Sequence, residues 1–504
     1  MNRNLYRVFL VLSFLALNAL ILFAISSVWS YLNTGADRAS ILHLQEEKSS
    51  TYLPKITWDI STIKGRPIEK QTLSEIERDY LRAWQVRNIA YETNDTYGLT
   101  DYYTDSIRVK ISKIIKLNTT NGVTLKTTTL EHHPKLDFYS ADGKMVVFTD
   151  YDVRQYEEVY QHTIQLSKSQ RIISFKVILL LEDGFWRIRQ FVEIPTEPKK
   201  IAELTPKKIT FSKLKGLNYY PQETPWDMFG KKFNDSIINN DFKEITKLGL
   251  NTIRVFVPYE DFGKAAIDIN KIAKLKKTLD LAEKNNLKVV ITLFDFYGNY
   301  DIKDWTLTNH HAEYIVSHFK NHPALLAWDV KNEPDLDFES RGKEKVLSWL
   351  RQTIASIKQF DSQHQVTIGW SSPEAAINLN DEVDFVSFHF YKKVSEFSEA
   401  YADLKKEVPN KPLMLQEFGY SSYDGVWNVF TGSEEDQKEY IEAMLQILDE
   451  KKIPYLFWTL HDFEEIPTSV VGRLPWKKAQ QKHFGILDSN LKPKPVYSIF
   501  KERK

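Results

Sequence analysis

Two glutamates in this sequence stand directly after runs of mostly apolar residues. Glu333 lies in AWDVKNEPD (Ala327–Asp335) and Glu417 in LQEFGY (Leu415–Tyr420). The first motif has a structural explanation, because Asn and Pro commonly mark loops and Pro334 could simply stop a strand. The chemical explanation is a pair of carboxylates, one of which holds a proton while the other stays ionised. The choice depends on whether the fold brings the two together.

Five further residues that could bind or orient a ligand also stand at the ends of predicted strands. They are Arg254, Asn332, His389, Tyr391 and Trp458. Each has an ordinary structural alternative, such as an ion-pair partner, a satisfied buried histidine or a core-filling tryptophan. Their placement at the ends of several different strands is a stronger signal than any one of them.

The chain from Leu214 onward alternates predicted strands with predicted helices. LKVVITL (Leu287–Leu293) has the near-continuous apolar character of a strand buried on both faces of a parallel sheet. The predicted strands are Leu214–Tyr219, Thr252–Val257, Leu287–Leu293, Ala324–Val330, Val366–Trp370, Asp384–His389, Pro412–Gln416 and Tyr455–Trp458. This order predicts an α/β fold, a (β/α)8 TIM barrel over residues 214–504.

A doubly wound open sheet is the alternative architecture. Against it, no Gly-rich phosphate loop follows an early strand, and the candidate residues follow several different strands. In a barrel, Glu333 and Glu417 are three strands apart and would face each other across the mouth. A separation of about 5 Å between two carboxylates suits retaining glycoside hydrolysis, whereas inversion needs a wider gap.

These motifs resemble those of the large clan of glycoside hydrolases with catalytic glutamates on strands four and seven, and within it family 5, the cellulase and mannanase group. The resemblance covers about Leu214–Phe500. The matching segments are WDVKNEP (Trp328–Pro334) for the acid/base, LQEFGY for the nucleophile, HFY (His389–Tyr391) on strand six, FWTLHDF with Trp458 on strand eight, and HFGILDSNLKPKPVY (His483–Tyr497) at the end.

The resemblance implies a role for each candidate residue. Glu417 would be the nucleophile, and Glu333 the general acid and then the general base. Arg254 beside Glu417 would lower the pKa of that carboxyl, while Glu333 in a drier setting would keep its proton. The other implied roles are binding of the sugar 2-hydroxyl by Asn332, support of Glu417 by Tyr391, lining of the same subsite by His389, and an apolar platform from Trp458.

The segment after the third strand departs from the family pattern. Family 5 enzymes commonly carry a His there, and this chain has Asp295, Phe296 and Tyr297 within ITLFDFYGNY. Because that loop shapes the site, the departure bears on the choice of sugar. Aromatic residues in predicted loops could add sugar-binding platforms or could be packing: Tyr219, Tyr220, Trp226, Trp427 and Trp476.

The N-terminus carries a long apolar stretch. The stretch Val8–Leu32 follows Arg3 and Arg7 and contains no charged residue. It is long enough for a helix across ~30 Å of hydrocarbon. We expect residues 1–7 in the cytoplasm, a signal-anchor helix over 8–32, and the rest outside the cytoplasm, in the periplasm or at the cell surface. A cleaved signal peptide is the alternative, although its apolar part is usually shorter.

Between this stretch and the barrel we expect a stalk over residues 33–70, a small α+β domain over 71–200 and a Pro- and Lys-rich linker over 201–213. Thr72–Glu75 matches a capping box that would open a helix. Asp142-Gly143 and Asp183-Gly184 are hairpin signals. The element order faintly resembles nuclear transport factor 2-like domains, which gives no function; a spacer or assembly module is the simplest interpretation.

Composition limits the possible partners. Lys plus Arg and Asp plus Glu both number 67, so the chain has no overall basic bias of the kind that nucleic-acid binding requires. The absence of cysteine excludes disulfides, thiol nucleophiles and zinc-thiolate sites. The resemblance to family 5 implies a retaining β-glycosidase that needs no cofactor or metal and cleaves or transglycosylates β-linked glucan or mannan. The alternative is a non-catalytic glycan-binding or assembly component of a polysaccharide export system.

Overall fold

The computed structural model describes residues 3–33, 52–195, 211–425 and 432–503. Within the first of these ranges, it describes the side chains of residues 12–28 only. The predicted anchor falls within a helix, Arg3–Asn33. Within the described part of the chain, however, no helix is both long enough and apolar enough to cross a bilayer. The transmembrane prediction is therefore not supported. Most of the predicted linker and Trp427 lie outside the described residues.

Residues 52–195 form three helices and a sheet. The helices are Lys70–Thr93, Leu99–Tyr102 and Asp105–Asn121. The strands are β1 (Lys55–Ile56), β2 (Lys64–Gly65), β3 (Val123–Thr129), β4 (Glu131–Tyr139), β5 (Met145–Gln161), β6 (Ile164–Glu182) and β7 (Phe185–Ile194). They form one sheet in the order β1-β4-β5-β6-β7, with β2 on β4 and β3 on β5. Part of the segment assigned to a stalk thus pairs with this sheet. We call residues 52–195 the small domain.

In the small domain, local sequence predicts the hairpin turn at Asp183-Gly184 correctly, but not the residue at which the first helix begins. Asp183 and Gly184 both have positive φ and connect β6 to β7 in a two-residue hairpin, as predicted. The capping-box prediction is wrong, because the helix begins at Lys70 and Thr72 lies inside it. The apolar face of this helix is buried against the sheet, which outweighs the weak preference of a Thr for the cap position.

A polar network crosses the core of the small domain. The Asp150 carboxylate accepts a hydrogen bond from the Tyr80 hydroxyl at 2.7 Å and contacts His132 Nδ1 at 2.6 Å. His132 Nε2 lies 2.9 Å from the Thr129 hydroxyl. All four side chains are buried. Because every member has a partner, the network specifies how the helix packs on the sheet.

Residues 215–457 form the closed barrel of eight parallel strands that the alternation predicts. The strands are β8 (Lys215–Asn218), β9 (Thr252–Pro258), β10 (Lys288–Asp295), β11 (Leu325–Asn332), β12 (Gln365–Trp370), β13 (Val386–Phe390), β14 (Leu413–Phe418) and β15 (Tyr455–Phe457). Residues of these strands are almost all buried, since helices cover the outside and side chains fill the inside. The barrel closes between β15 and β8.

Helices connect the strands on the outside of the barrel. The longer ones are Asp235–Lys247, Ile269–Lys284, Trp305–Phe319, Lys343–Phe360, Val394–Glu407 and Glu434–Lys451. Shorter ones are Phe338–Arg341, Thr468–Val471, Pro475–Lys482 and Val496–Glu502, with 3-10 turns at Phe211–Lys213, Ile302–Asp304, Pro334–Asp337 and Ala375–Ile377. Asn234, Asp268 and Ser433 accept hydrogen bonds from backbone N–H groups at helix starts, which fixes where three of the helices begin.

Candidate active site

The carboxyl ends of the barrel strands bring the predicted residues to one rim. Strand β11 ends at Asn332, and Glu333 follows with φ 45° and ψ 52°. Its backbone N–H donates to the Gly369 carbonyl at 2.7 Å, which ties this turn to strand β12. His389 of β13 is the register partner of Glu417 on β14. The two glutamates therefore reach the same end of the barrel from different strands.

The two carboxylates lie close together with His389 between their strands. One oxygen of Glu333, one oxygen of Glu417 and one ring nitrogen of His389 all lie within 4.8 Å of one another. His389 Nδ1 is 3.0 Å from Glu333 Oε1. The Tyr391 hydroxyl donates to Glu417 Oε1 at 2.7 Å, so the structure places Tyr391 against the residue it was expected to support.

Arg254 is completely buried and links both glutamate-bearing strands. Its guanidinium donates to Glu417 Oε2 at 3.4 Å and to Asn332 Oδ1 at 2.9 Å. The bond to Asn332 is made to its amide oxygen. The guanidinium of Arg254 also donates to Asp329 Oδ2 at 2.5 and 3.0 Å, to Thr292 Oγ1 at 2.9 Å and to Asn218 Oδ1 at 3.1 Å.

Trp458 directly follows strand β15, forms a cis peptide bond with Thr459 and is 5% exposed. Its ring lies in an aromatic cluster, 5.6 Å from Trp226 and 6.2 Å from Tyr220 between centroids. Of the aromatic residues proposed as platforms, Tyr219 and Tyr220 are buried, whereas Trp226 and Trp476 are half-buried. Trp226 is thus the more accessible ring beside Trp458.

The third-strand segment forms part of the same rim. Asp295 ends β10 and is 4% exposed, and Phe296 has φ 58°. Tyr297 packs against Trp349 at 4.8 Å between ring centroids. A buried carboxylate therefore stands where the family commonly has an imidazole.

Comparison with known proteins identifies the barrel. The family described as Cellulase (glycosyl hydrolase family 5) matches residues 212–464, half of the chain. The chain belongs to glycosyl hydrolase family 5. The resemblance inferred from the strand-end motifs is confirmed at the level of the family, although this chain lacks the histidine that commonly follows the third strand.

Curated relatives of this family 5 chain include two kinds of glycosidase. The β-glucuronidase of Homo sapiens is 27% identical over 301 residues, covering 55% of this chain and 42% of that protein. Mannan endo-1,4-β-mannosidase 3 of Arabidopsis thaliana is 26% identical over 220 residues, covering 35% of this chain and 50% of that protein. The chain spans about half the length of the curated relatives it matches.

Among solved structures, the β-D-glucuronidase of Dictyoglomus thermophilum has 17% identity and a TM-score of 0.44, covering 71% of this chain and 66% of that one. The exo-β-1,4-mannosidase Op5Man5 from Opitutaceae bacterium strain TAV5 has 17% identity and a TM-score of 0.46, covering 57% and 58%.

The electrostatics of this family 5 site differ from the expectation. Arg254 lowers the pKa of Glu417, as expected, yet the pKa of Glu417 is raised overall. Burial is the main cause, and the negative charge of Glu333 adds to it, while His389, Arg254 and the Tyr391 hydrogen bond act in the opposite direction. The Glu417 side chain is 12% exposed and that of Glu333 22%, so the predicted drier setting belongs to Glu417. Arg254 also shares its charge with Asp329.

Replacing Tyr391 by phenylalanine is expected to move the acidic limb of the pH profile of kcat/KM to higher pH. The hydroxyl stabilises ionised Glu417, so its loss raises the pKa of Glu417 further, and a nucleophile works only above that pKa. A full pH profile of wild type and Y391F measures the shift. A uniform loss of rate with an unmoved limb would contradict this account.

The structure adds three residues that sequence reasoning missed. Asp329 and Thr292 are buried partners of Arg254, and the Thr292 hydroxyl donates to Asp329 Oδ2 at 2.7 Å. Gly369 lies so close to Arg254 that a Cβ at this position would be 2.6 Å from the guanidinium. Asp329 could have been found, because an acidic residue inside the apolar run of a buried strand requires a buried cation. Thr292 and Gly369 carry no such signal.

Replacing Asp329 by alanine is expected to destabilise the barrel by roughly 3–5 kcal/mol, because it leaves the Arg254 cation buried with half of its compensation removed. Chemical denaturation followed by barrel tryptophan fluorescence measures this loss. The matched control is Thr292→Val, which removes the hydrogen bonds of Thr292 with the same carboxylate and with Arg254 without removing a charge and is expected to cost ~1–2 kcal/mol. Equal effects of the two variants would contradict the charge argument.

One group of side chains among the described residues has donor atoms placed closely enough to hold a metal ion. It consists of Glu333, His389 and Glu417, and thus includes the carboxylate pair. The contacts with Tyr391 and Arg254 already orient the Glu417 carboxylate. The arrangement is thus suited to proton transfer and nucleophilic attack by the side chains themselves.

Proposed function

We propose that this protein is a retaining β-glycosidase that cleaves a neutral β-linked glucan or mannan by double displacement. The observation that supports this most is the spacing of Glu333 and Glu417, which have carboxylate oxygens within 4.8 Å of each other. Retaining enzymes place their two carboxyl groups about 5–5.5 Å apart, whereas inverting enzymes need about 6.5–9.5 Å to admit a water molecule between carboxylate and sugar.

In the first step, a carboxylate oxygen of Glu417 attacks the anomeric carbon and forms an α-linked ester. The bond from that carbon to the glycosidic oxygen breaks, and Glu333 gives its proton to the departing oxygen. Tyr391 and Arg254 hold Glu417 from its two oxygens, so little reorientation is needed for attack. The N–H group of Asn332 is the candidate donor to the sugar 2-hydroxyl.

In the second step, Glu333 is a carboxylate and takes a proton from water. The water oxygen attacks the anomeric carbon, the ester bond to Glu417 breaks, and the product leaves with the β configuration restored. His389 contacts Glu333 Oε1 and is positioned to stabilise its ionised form during this step. If the hydroxyl of a second sugar replaces water, the same steps transfer the glycosyl group to it.

The charge of the site supports a neutral substrate. Asp295 and Glu417 are acidic side chains on two strands of this rim, β10 and β14. The buried cation Arg254 is already shared between Asp329 and Glu417. Arg254 is therefore already engaged by two carboxylates, and the carboxylate of a uronic acid would lie near ionised Glu417, which disfavours its binding. We propose a neutral hexose at this subsite, even though some of the curated relatives are β-glucuronidases.

Incubation of the full-length protein with β-glucans, β-mannans and aryl β-glucuronides tests this proposal. We expect release of shorter sugars from at least one neutral polymer, no release from glucuronides, and the β anomer as the first product in NMR spectra recorded during the reaction. An initial α anomer would refute retention, and preferential cleavage of a glucuronide would refute the neutral subsite. Binding of polymers without any cleavage would favour a glycan-binding or assembly component.

We also propose that the small domain and barrel act outside the cytoplasm. The supporting observation is the order of Arg3, Arg7 and the apolar stretch Val8–Leu32, which is typical of segments that direct export with the basic end inside. The proposal requires export of the chain but not retention of this segment as an anchor. Alkaline phosphatase fused after Asn33 should be active in a bacterial host, and an inactive fusion would refute export.

A further inference from the structure

The small domain packs along one side of the barrel. Strand β3 lies against the 3-10 turn Ile302–Asp304 and the helix Trp305–Phe319. The Tyr156 ring contacts Trp305 at 5.0 Å between centroids, and its hydroxyl donates to Gln352. Tyr156 is buried with the residues of the barrel core. This contact makes the two parts one packed unit at this interface.

Ion pairs join the small domain to the segment that follows the third barrel strand. Lys126 Nζ lies 2.7 Å from Asp301 Oδ2, and Lys303 Nζ lies 2.9 Å from Glu92 Oε1. The Asp301 side chain is only 16% exposed. Burial opposes its ionisation, but Lys126 and Lys345 lower the pKa of Asp301 below its usual value. Asp301 is thus a carboxylate held from two sides.

The contacts continue from Asp301 to the turn that carries Glu333. Tyr300, next to Asp301, donates its hydroxyl proton to a carboxylate oxygen of Asp337. Asp337 is fully buried and closes the 3-10 turn Pro334–Asp337, which begins directly after Glu333. A continuous path therefore connects Lys126 of the small domain to the turn after Glu333, through Asp301, Tyr300 and Asp337.

We propose that the small domain is a positioning element for the acid/base Glu333, acting through Lys126, Asp301 and Tyr300. This inference rests on the proposed function, because it assigns the small domain a part in the proton transfer by Glu333. Loss of the Lys126 charge removes one of the two ion pairs of Asp301 and leaves only the longer one with Lys345, which loosens the segment that holds Asp337 and the end of the Glu333 turn. Nucleophilic attack by Glu417 does not depend on this path, since its partners Arg254 and Tyr391 belong to the barrel.

The test compares full-length wild type with Lys126→Met on two aryl glycosides of the sugar that the enzyme cleaves. A dinitrophenyl glycoside needs no proton on its leaving group, whereas a phenyl glycoside does. We expect kcat/KM of Lys126→Met to fall about tenfold on the phenyl glycoside and less than about threefold on the dinitrophenyl glycoside. Tyr300→Phe, which removes the hydroxyl next along the path, should show the same selective loss.

Lys55→Met is the matched control. It removes another ion pair between the small domain and the barrel, with Glu313 on the helix Trp305–Phe319, away from the path to Glu333. Its rates on both glycosides should equal those of wild type. Unchanged rates for both Lys126→Met and Tyr300→Phe, or equal losses on the two substrates, would overturn the inference. Wild type inert on both glycosides would instead refute the proposed function. Thermal unfolding of each variant identifies any that fails to fold.

Discussion

Replacing Glu417 by alanine is expected to lower kcat by roughly 10⁴-fold or more, since the covalent step loses its nucleophile. Sodium azide should restore part of the activity, because the small anion fits the space left by the carboxylate. Azide then attacks from the face that Glu417 occupied, so the product is the α-glycosyl azide. NMR of the product measures its configuration.

Glu374→Ala is the control for this variant. Glu374 is an acidic residue with 64% of its side chain exposed, paired with Lys392. Its loss removes the same functional group without touching the carboxylate pair, and we expect activity within twofold of wild type. A Glu417→Ala protein with near-normal kcat, or a β-glycosyl azide as its product, would contradict the nucleophile assignment.

Replacing Glu333 by alanine is expected to have the second largest effect on catalysis. We expect kcat/KM to fall by about 10²–10⁴-fold on substrates with poor leaving groups, because these need a proton, and to change little on dinitrophenyl glycosides. On dinitrophenyl glycosides the glycosyl-enzyme should then accumulate, since water has lost its base. Pre-steady-state measurement of dinitrophenolate release would show this as a burst followed by slow turnover.

Azide separates the role of Glu333 from that of Glu417. With Glu333→Ala, azide attacks the α-linked glycosyl-enzyme without base assistance and releases the β-glycosyl azide. The two alanine variants therefore yield products of opposite configuration. If Glu333→Ala lost activity equally on all leaving groups and gave no azide product, its role would be structural support of the turn rather than proton transfer.

The raised pKa of Glu417 follows from its surroundings. Its carboxylate is buried, and the adjacent Glu333 disfavours a second negative charge. Two neighbouring carboxylates that share a site ionise one after the other. Arg254, Tyr391 and His389 oppose this effect and favour the ionised form of Glu417, the residue proposed to attack.

Local sequence was sufficient for the barrel and for the residues at its rim. The apolar runs buried on two sides, separated by amphipathic helices, predict parallel strands, and each observed strand overlaps its predicted counterpart. The side chains at the ends of such strands must converge at one rim. For this reason the sequence predicts that one rim of the barrel holds Arg254, Asn332, His389, Tyr391 and Glu417. Their roles stay predictions until the variants above are measured.

The start of the first helix of the small domain was not predictable in this way. Thr72–Glu75 has the residue types of a capping box, but the helix begins at Lys70. Burial of Ile76, Tyr80 and Trp84 against the sheet is worth more than one cap, and the sequence does not show where that sheet lies.

By itself, the sequence determined the eight strands, their order, the pair Glu333 and Glu417, and the family to which these motifs belong. These depend on periodicity and on residue types close in the chain. Only the tertiary structure decided the partners of Arg254, the burial that raises the pKa of Glu417, and the path from Lys126 to the turn after Glu333. Burial and ion pairing join residues from distant parts of the chain, such as Lys126 and Asp301, and no local pattern encodes their distance.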